Sequence, residues 1–322
     1  MGRNSRNSGI ELLRVVAMVL IVFNHSPFSA FQSSSYSHFR ISGAIIATIL
    51  GGLGGVGDIL FFGITAWYMT METPDLRRSL RRVWMLEKQL LFTSFALFAV
   101  FLALRMSGLY APLMNHTDIM KILFRTLFPL VGTMWWYPTS YAIFCFLHPW
   151  LQLGLQSLGR RNHLGLLVVI LAVWGITPMS TLDMKWSIVL FVYLYVIFSF
   201  IRWYASDSIS PRTACNMLFI GAGIKVLGLF FSGVVWSLLG ITAKTTYFNS
   251  PRSISTLMVG IGLIMIQDRS HLKSKFVNGL ASTMFASYLI LTYSLMAVSI
   301  PYRRLRRTTM CKFLELWLYS NI

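Results

Sequence analysis

Arg14 and His25 lie inside one apolar stretch, IELLRVVAMVLIVFNHS, at residues 10–26. An imidazole exchanges a proton near neutral pH and can act as a base toward a hydroxyl. A guanidinium keeps its charge and grips phosphate or carboxylate through paired donors. The two positions are eleven residues apart. On a helix that spacing is about 20° past three full turns, so both project from one face, about 16 Å apart along the axis. Glu11 precedes Arg14 by one turn and can neighbour it on that face. The stripe Glu11, Arg14, Met18, His25 suits a protein interior or a wet cavity, since lipid would not accept it. Singly, a histidine closing a helix and an arginine snorkelling to a surface are ordinary. Together on one face they point to chemistry.

Three further groups carry polar character where apolar residues dominate. Asp58 follows the glycine-rich run GGLGGVGD. An acid there is either a functional intramembrane charge or the cap of a broken helix. The stretch LRRSLRRVW presents Arg77, Arg78, Arg81 and Arg82. It reads as a loop that orients the chain on anionic lipid, as a site for an anionic cytosolic ligand, or as both. TMWWYPTSYAIFCFLHPWL, at 133–151, gathers Trp136, Tyr137 and Tyr141 at a membrane boundary. Such rings form an interfacial belt and also suit sugar or acyl-chain contact. His148 lies deeper on the same segment, and His116, His163 and His271 read as solvated loop residues. Cys145, Cys215 and Cys311 form no paired-cysteine pattern, so neither a disulfide framework nor a zinc site is expected. The sequon at Asn115 is too short a motif to carry weight. Hydrolase, P-loop and metalloprotease signatures are absent, and no metal is expected.

The elements that must position these residues are membrane helices. The 322 residues are 56% hydrophobic and 12% charged, with mean hydropathy +0.65. Apolar runs near the ~20-residue bilayer span predict an all-α, polytopic transmembrane bundle of about nine to ten spans. Spans are read near 10–26, 43–70, 84–104, 135–156, 164–180, 186–201, 214–240, 253–267 and 276–300. The shorter piece 119–131 reads as re-entrant or interfacial, and the start of 43–70 as loop or broken helix. The net charge of +18 sits mainly between apolar runs. It therefore speaks for orientation and lipid contact rather than nucleic acid. With the N-terminus in the cytoplasm, the loops rich in Lys and Arg all fall on the cytoplasmic side. A cleaved signal peptide would also explain the first run, but Arg14 intrudes on it and eight more runs follow. Residues 301–322 break the pattern. Nine spans would leave Arg303, Arg304, Arg306, Arg307 and Lys312 outside, so this basic tail reads as atypical, of the kind a missing tenth span, a truncation or a shifted frame leaves.

The pattern in residues 9–295 resembles the acyltransferase-3 family of integral membrane O-acyltransferases. The first helix, ELLRVVAMVLIVFNH, is similar to the family's opening motif, with Arg14 and His25 at its spacing. The arginines at 77, 78, 81 and 82 match the family's basic stretch. WWYPTSYAIFCFLHPWL and STMFASYLIL resemble two later segments, with Leu291 where the family has His. The second-helix motif, here LFFGITAWYMT, lacks the family's Ser-Gly pair. The resemblance implies ten spans in a bacterial plasma membrane. It implies transfer of an acyl group, usually acetyl, from cytosolic acyl-CoA to a hydroxyl of a cell-surface polysaccharide or its lipid-linked precursor. On that reading His25 is the base, Arg14 stabilises negative charge or binds a CoA phosphate, and Glu11 orients Arg14. Arg78 and Arg81 above all, with Arg77 and Arg82, hold the donor. Asp58, Trp136, Tyr137 and Tyr141 line an acceptor site or pore. A transporter or exporter of a glycan or lipid-linked glycan is the alternative, because broken glycine-rich helices and intramembrane charges suit it too. An inactive, truncated acyltransferase is a third.

Overall fold

A computed structural model describes residues 7–25, 41–107, 116–176, 188–239 and 247–293. Among these residues the chain is all-α, without strands. The helices are α1 (Ser8–His25), α2 (Ile41–Gly52), α3 (Gly54–Met69), α4 (Leu76–Met106), α5 (His116–Leu127), α6 (Trp136–Ile170), α7 (Ile188–Phe200), α8 (Pro211–Leu239), α9 (Ile254–Asp268) and α10 (Lys275–Leu291). Wider turns extend α6 over Leu171–Ile176 and α7 over Ile201–Ala205. The expected residue types set several boundaries. Pro211 opens α8, where its missing N–H costs nothing, and the Ser210 hydroxyl accepts from Thr213 N at 3.1 Å. Ser253 caps α9 by accepting from Thr256 N at 3.3 Å.

Five stretches among the described residues are long and apolar enough to cross a membrane: Ser8–His25, Thr48–Met69, Leu76–Met106, Ile188–Ala205 and Pro211–Val235. The chain is a helical membrane protein on that ground. The other spans read from sequence are shorter or interrupted helices. At 15 residues, α9 is about 22 Å long against a hydrocarbon core of about 30 Å. Pro149 lies inside α6, and Gly159 breaks that helix with φ 67° and ψ 172°, a conformation nearly confined to glycine. The 43–70 run divides at Leu53, between α2 and α3.

The chain divides into two compact units. The first comprises Met1–Val83 and Ser140–Phe285. At its centre α3 packs on α1, α7 and α9, while α8 packs on α2 and α9. These approaches depend on missing side chains. A Cβ at Gly57 would stand 2.7 Å from the Ala17 carbonyl oxygen of α1, and one at Gly262 2.8 Å from that of Ala214 in α8. The core is aromatic: Phe62 meets Phe144 and Phe191 edge-on, and Trp67 meets Phe198. The second unit comprises Trp84–Thr139 and the segment from Ala286. In it the Ser94 hydroxyl donates to the Thr126 carbonyl at 2.9 Å, and Trp135 Nε1 to that of Leu289 at 3.0 Å.

Two sequence expectations are corrected. The basic stretch 76–83 is not a loop; it forms the first turns of α4, started by the Asp75 carboxylate, which accepts from Arg77 N at 2.9 Å. His163 is not solvated. It is fully buried, its Nε2 3.1 Å from the Val196 carbonyl, with Phe200, Trp203 and Tyr204 edge-on around its ring. The expectations for the Asn115 sequon and the 301–322 tail fall outside the described residues.

Candidate functional site

One end of the first unit gathers the start of α1 with the ends of α3, α7 and α9. Asn7 Nδ2 donates to the Gln267 carbonyl at 2.9 Å, and Ser8 N to that of Leu272 at 3.1 Å. One turn into α1, Arg14 Nη1 reaches the buried Glu11 Oε2 at 3.5 Å. Tyr68 of α3 feels the charge of Arg14, and its hydroxyl donates to Asp268 Oδ1 at 3.4 Å. Arg202 pairs with Asp268 at 3.0 Å and lies 4.5 Å over the Trp67 ring. Charges and rings thus alternate across three helix ends.

The arginines at 77–82 are not equivalent. Arg82 Nη2 holds both oxygens of Glu72, at 2.5 and 2.6 Å, and Arg78 adds a contact at 3.3 Å. Glu72 is held for this by its turn: Gln152 Nε2 donates to the Glu72 carbonyl at 2.8 Å, and Trp203 Nε1 to that of Thr70 at 3.0 Å. Arg77 and Arg81 extend outward, exposed, one helical turn apart.

His25 closes α1 at the opposite end. Its side chain is exposed, and Nδ1 sits 2.9 Å from the Ile21 carbonyl. A carbonyl only accepts, so Nδ1 carries the hydrogen and Nε2 of the neutral ring keeps a free lone pair. The same helix therefore carries both residues, but at opposite ends, and they do not meet. Asn24 occupies the space a side chain on Gly54 would need, which brings this end of α1 against the start of α3.

Asp58 lies one turn into α3 and is buried. Its neighbour in charge is Lys225 of α8, which is also buried and donates to the Phe248 carbonyl and, at 2.9 Å, to Thr256 Oγ1. Thr256 Oγ1 is in turn 2.6 Å from Ser253 Oγ.

Of the aromatic candidates, Trp136 and Tyr137 belong to the second unit and Tyr141 to the first. Tyr137 packs edge-on to Tyr288, centroids 5.8 Å apart. Tyr141 hydrogen-bonds the Cys145 thiol and lies in the field of Arg82 and Glu72. His148 Nε2 is 3.1 Å from the Tyr195 hydroxyl.

Sequence reasoning missed Lys225, Glu72 and Asp268. Lys225 had a clear signal, a lone ammonium within the apolar run 214–240. Glu72 had none, because a turn separates it from Arg82 and no helical spacing joins them. No family model matches the chain, and no curated protein or solved structure matches it.

Proposed function

We propose that this membrane protein is an O-acyltransferase, moving an acyl group, acetyl above all, from acyl-CoA to a hydroxyl of a cell-surface glycan or its lipid-linked precursor. The observation that supports this reading best is His25. Its Nδ1 hydrogen is spent on the Ile21 carbonyl, so the exposed ring offers Nε2 as a base. In the reaction the acceptor hydroxyl gives its proton to Nε2 while its oxygen bonds to the thioester carbonyl carbon. The tetrahedral intermediate then expels the thiolate, which takes the proton from the imidazolium and leaves as free thiol.

Arg14 is too far from His25, about 16 Å along the helix, to share the reacting carbonyl. Its role is therefore with the anionic part of the donor, and Glu11 fixes its head group. Arg77 and Arg81, exposed one turn apart, suit the CoA phosphates better than Arg78 and Arg82, which Glu72 engages. The donor's long pantetheine arm is the group that would bridge from this end toward His25.

The test is acyl transfer by the purified chain from radiolabelled acetyl-CoA, together with acylation of surface glycan in cells. His25→Ala is expected to lower transfer about 10²–10⁴-fold. Full transfer by a well-inserted His25→Ala protein ends the proposal of a histidine base.

The buried pair Asp58 and Lys225 supports a second reading, a transporter or exporter of a glycan or lipid-linked glycan. Charges inside a bundle beside an interrupted helix are the usual lining of a transport path. Glycan movement into vesicles without acyl-CoA would favour this reading.

A further inference from the structure

Lys225 and Asp58 take no part in the proposed acyl transfer, yet they are among the costliest residues in the molecule to bury. Lys225 is 2% exposed and Asp58 7% exposed. The lysine is well satisfied: it donates to the Phe248 carbonyl and to Thr256 Oγ1, and Thr256 is backed by the Ser253 hydroxyl. The carboxylate is not. Among the described residues no hydrogen bond or ion pair reaches Asp58, which feels only the charge of Lys225. The two side chains come from α3 and α8, and the 247–253 segment approaches both helices: the Phe248 carbonyl accepts from Lys225, and Asn249 lies against Gly55. Gly55, one turn before Asp58, permits this, because a Cβ there would collide with the Asn249 carbonyl oxygen.

A backbone carbonyl, a threonine hydroxyl and a nearby carboxylate are oxygen ligands of the type that hold hard cations. One carboxylate balances a single positive charge. The ammonium of Lys225 now takes the place of that charge. We propose that this is a monovalent-cation site filled by the chain's own lysine, so that the Lys225 ammonium and a free Na⁺, K⁺ or small alkylammonium ion are alternative occupants, with Asp58 as counter-charge. The oxygens and the counter-charge of Asp58 serve one occupant at a time, so removing the Lys225 side chain opens them to a free cation. The site depends on neither reading of the function.

The test uses the full-length chain in detergent, with thermal unfolding followed in NaCl, KCl, methylammonium chloride or the bulky N-methyl-D-glucamine chloride at equal ionic strength. The wild type is expected to melt alike in all four at neutral pH. Lys225→Ala is expected to melt lower, and to regain several degrees in the small cations but not in N-methyl-D-glucamine, as binding to the folded state alone requires. Adding Asp58→Asn should abolish that recovery. If Lys225→Ala responds to the salts as the wild type does, the site is refuted. Should Lys225→Ala not be recoverable, Lys225→Ser is put through the same four salts at neutral pH. K⁺ must stabilise that variant over N-methyl-D-glucamine, and superimposable melting curves overturn the proposal.

Discussion

Glu72 decides what each neighbouring arginine can do. A carboxylate gripped by Arg82 at both oxygens, and by Arg78 at a third contact, leaves those guanidinium groups little for an outside anion. Arg77 and Arg81 carry no such load. The four arginines should therefore separate in experiment. Arg82→Ala and Glu72→Gln should each cost about 1.5–3 kcal/mol of stability, the range for hydrogen bonds to charged groups, because the pair is only about one-quarter exposed. Arg82→Lys should not restore it, since an ammonium lacks the planar fork. Arg77→Ala with Arg81→Ala should leave the melting temperature unchanged and raise the KM for acyl-CoA. Thermal unfolding and donor titration of the same preparations check both halves. A double Arg77/Arg81 variant with wild-type donor KM would remove these residues from the donor site.

At the scale of elements, the helices touch where side chains are missing, and that feature is sensitive to single atoms. Gly262 meets α8 at Ala214, so Gly262→Leu must push α9 off α8. The variant should lose most of its folded yield, judged by gel filtration in detergent. Gly159→Ala tests something else, since its Cβ would meet nothing within 4 Å. The cost there is backbone strain alone at φ 67°, about 1–3 kcal/mol. The apolar runs made the long helices legible, because a bilayer demands unbroken apolar length. Their interruptions were less so. Leu53 was foreshadowed by its glycines, but Gly159 looks in sequence like any glycine before a basic pair. The basic stretch at 76–83 reads as loop by composition, yet Asp75 caps it into helix. Glu11 beside Arg14 was legible from helical spacing alone. Arg202 with Asp268 and Lys225 with Thr256 were not, since each joins elements distant in sequence that only packing brings together, and Glu72 with Arg82 was not, since a turn breaks the helical spacing between them.

For the whole molecule, one end of the first unit collects the start of α1, the ends of α3, α7 and α9, and the start of α8. The contacts Asn7–Gln267, Ser8–Leu272 and Arg202–Asp268, with the two bonds from Arg269 to the Ser206 and Ile209 carbonyls, tie these ends together. Exposed cations cluster there: Arg212, Arg269, Lys273 and Lys275, together with Arg77 and Arg81 on α4 of the same unit. The opposite end holds His25, Gly54 and the 247–253 segment, with Arg252 and, buried against that segment, Lys225 as cations among its described residues. Lysine and arginine near helix ends are retained on the cytoplasmic side, so the basic end should face the cytoplasm and His25 the outside. This orientation is open to direct measurement. In a background with Cys145, Cys215 and Cys311 replaced by Ser, single cysteines at Arg81, His271 and His25 are probed with a membrane-impermeant maleimide. The Arg81→Cys and His271→Cys chains should react only in inside-out vesicles, and His25→Cys only in intact cells or right-side-out vesicles. Labelling of all three from one side would contradict a membrane-crossing α1. The reverse pattern would put the basic end outside, and with it the arginines meant to meet cytosolic acyl-CoA, so the donor assignment would fall while the bundle itself stood.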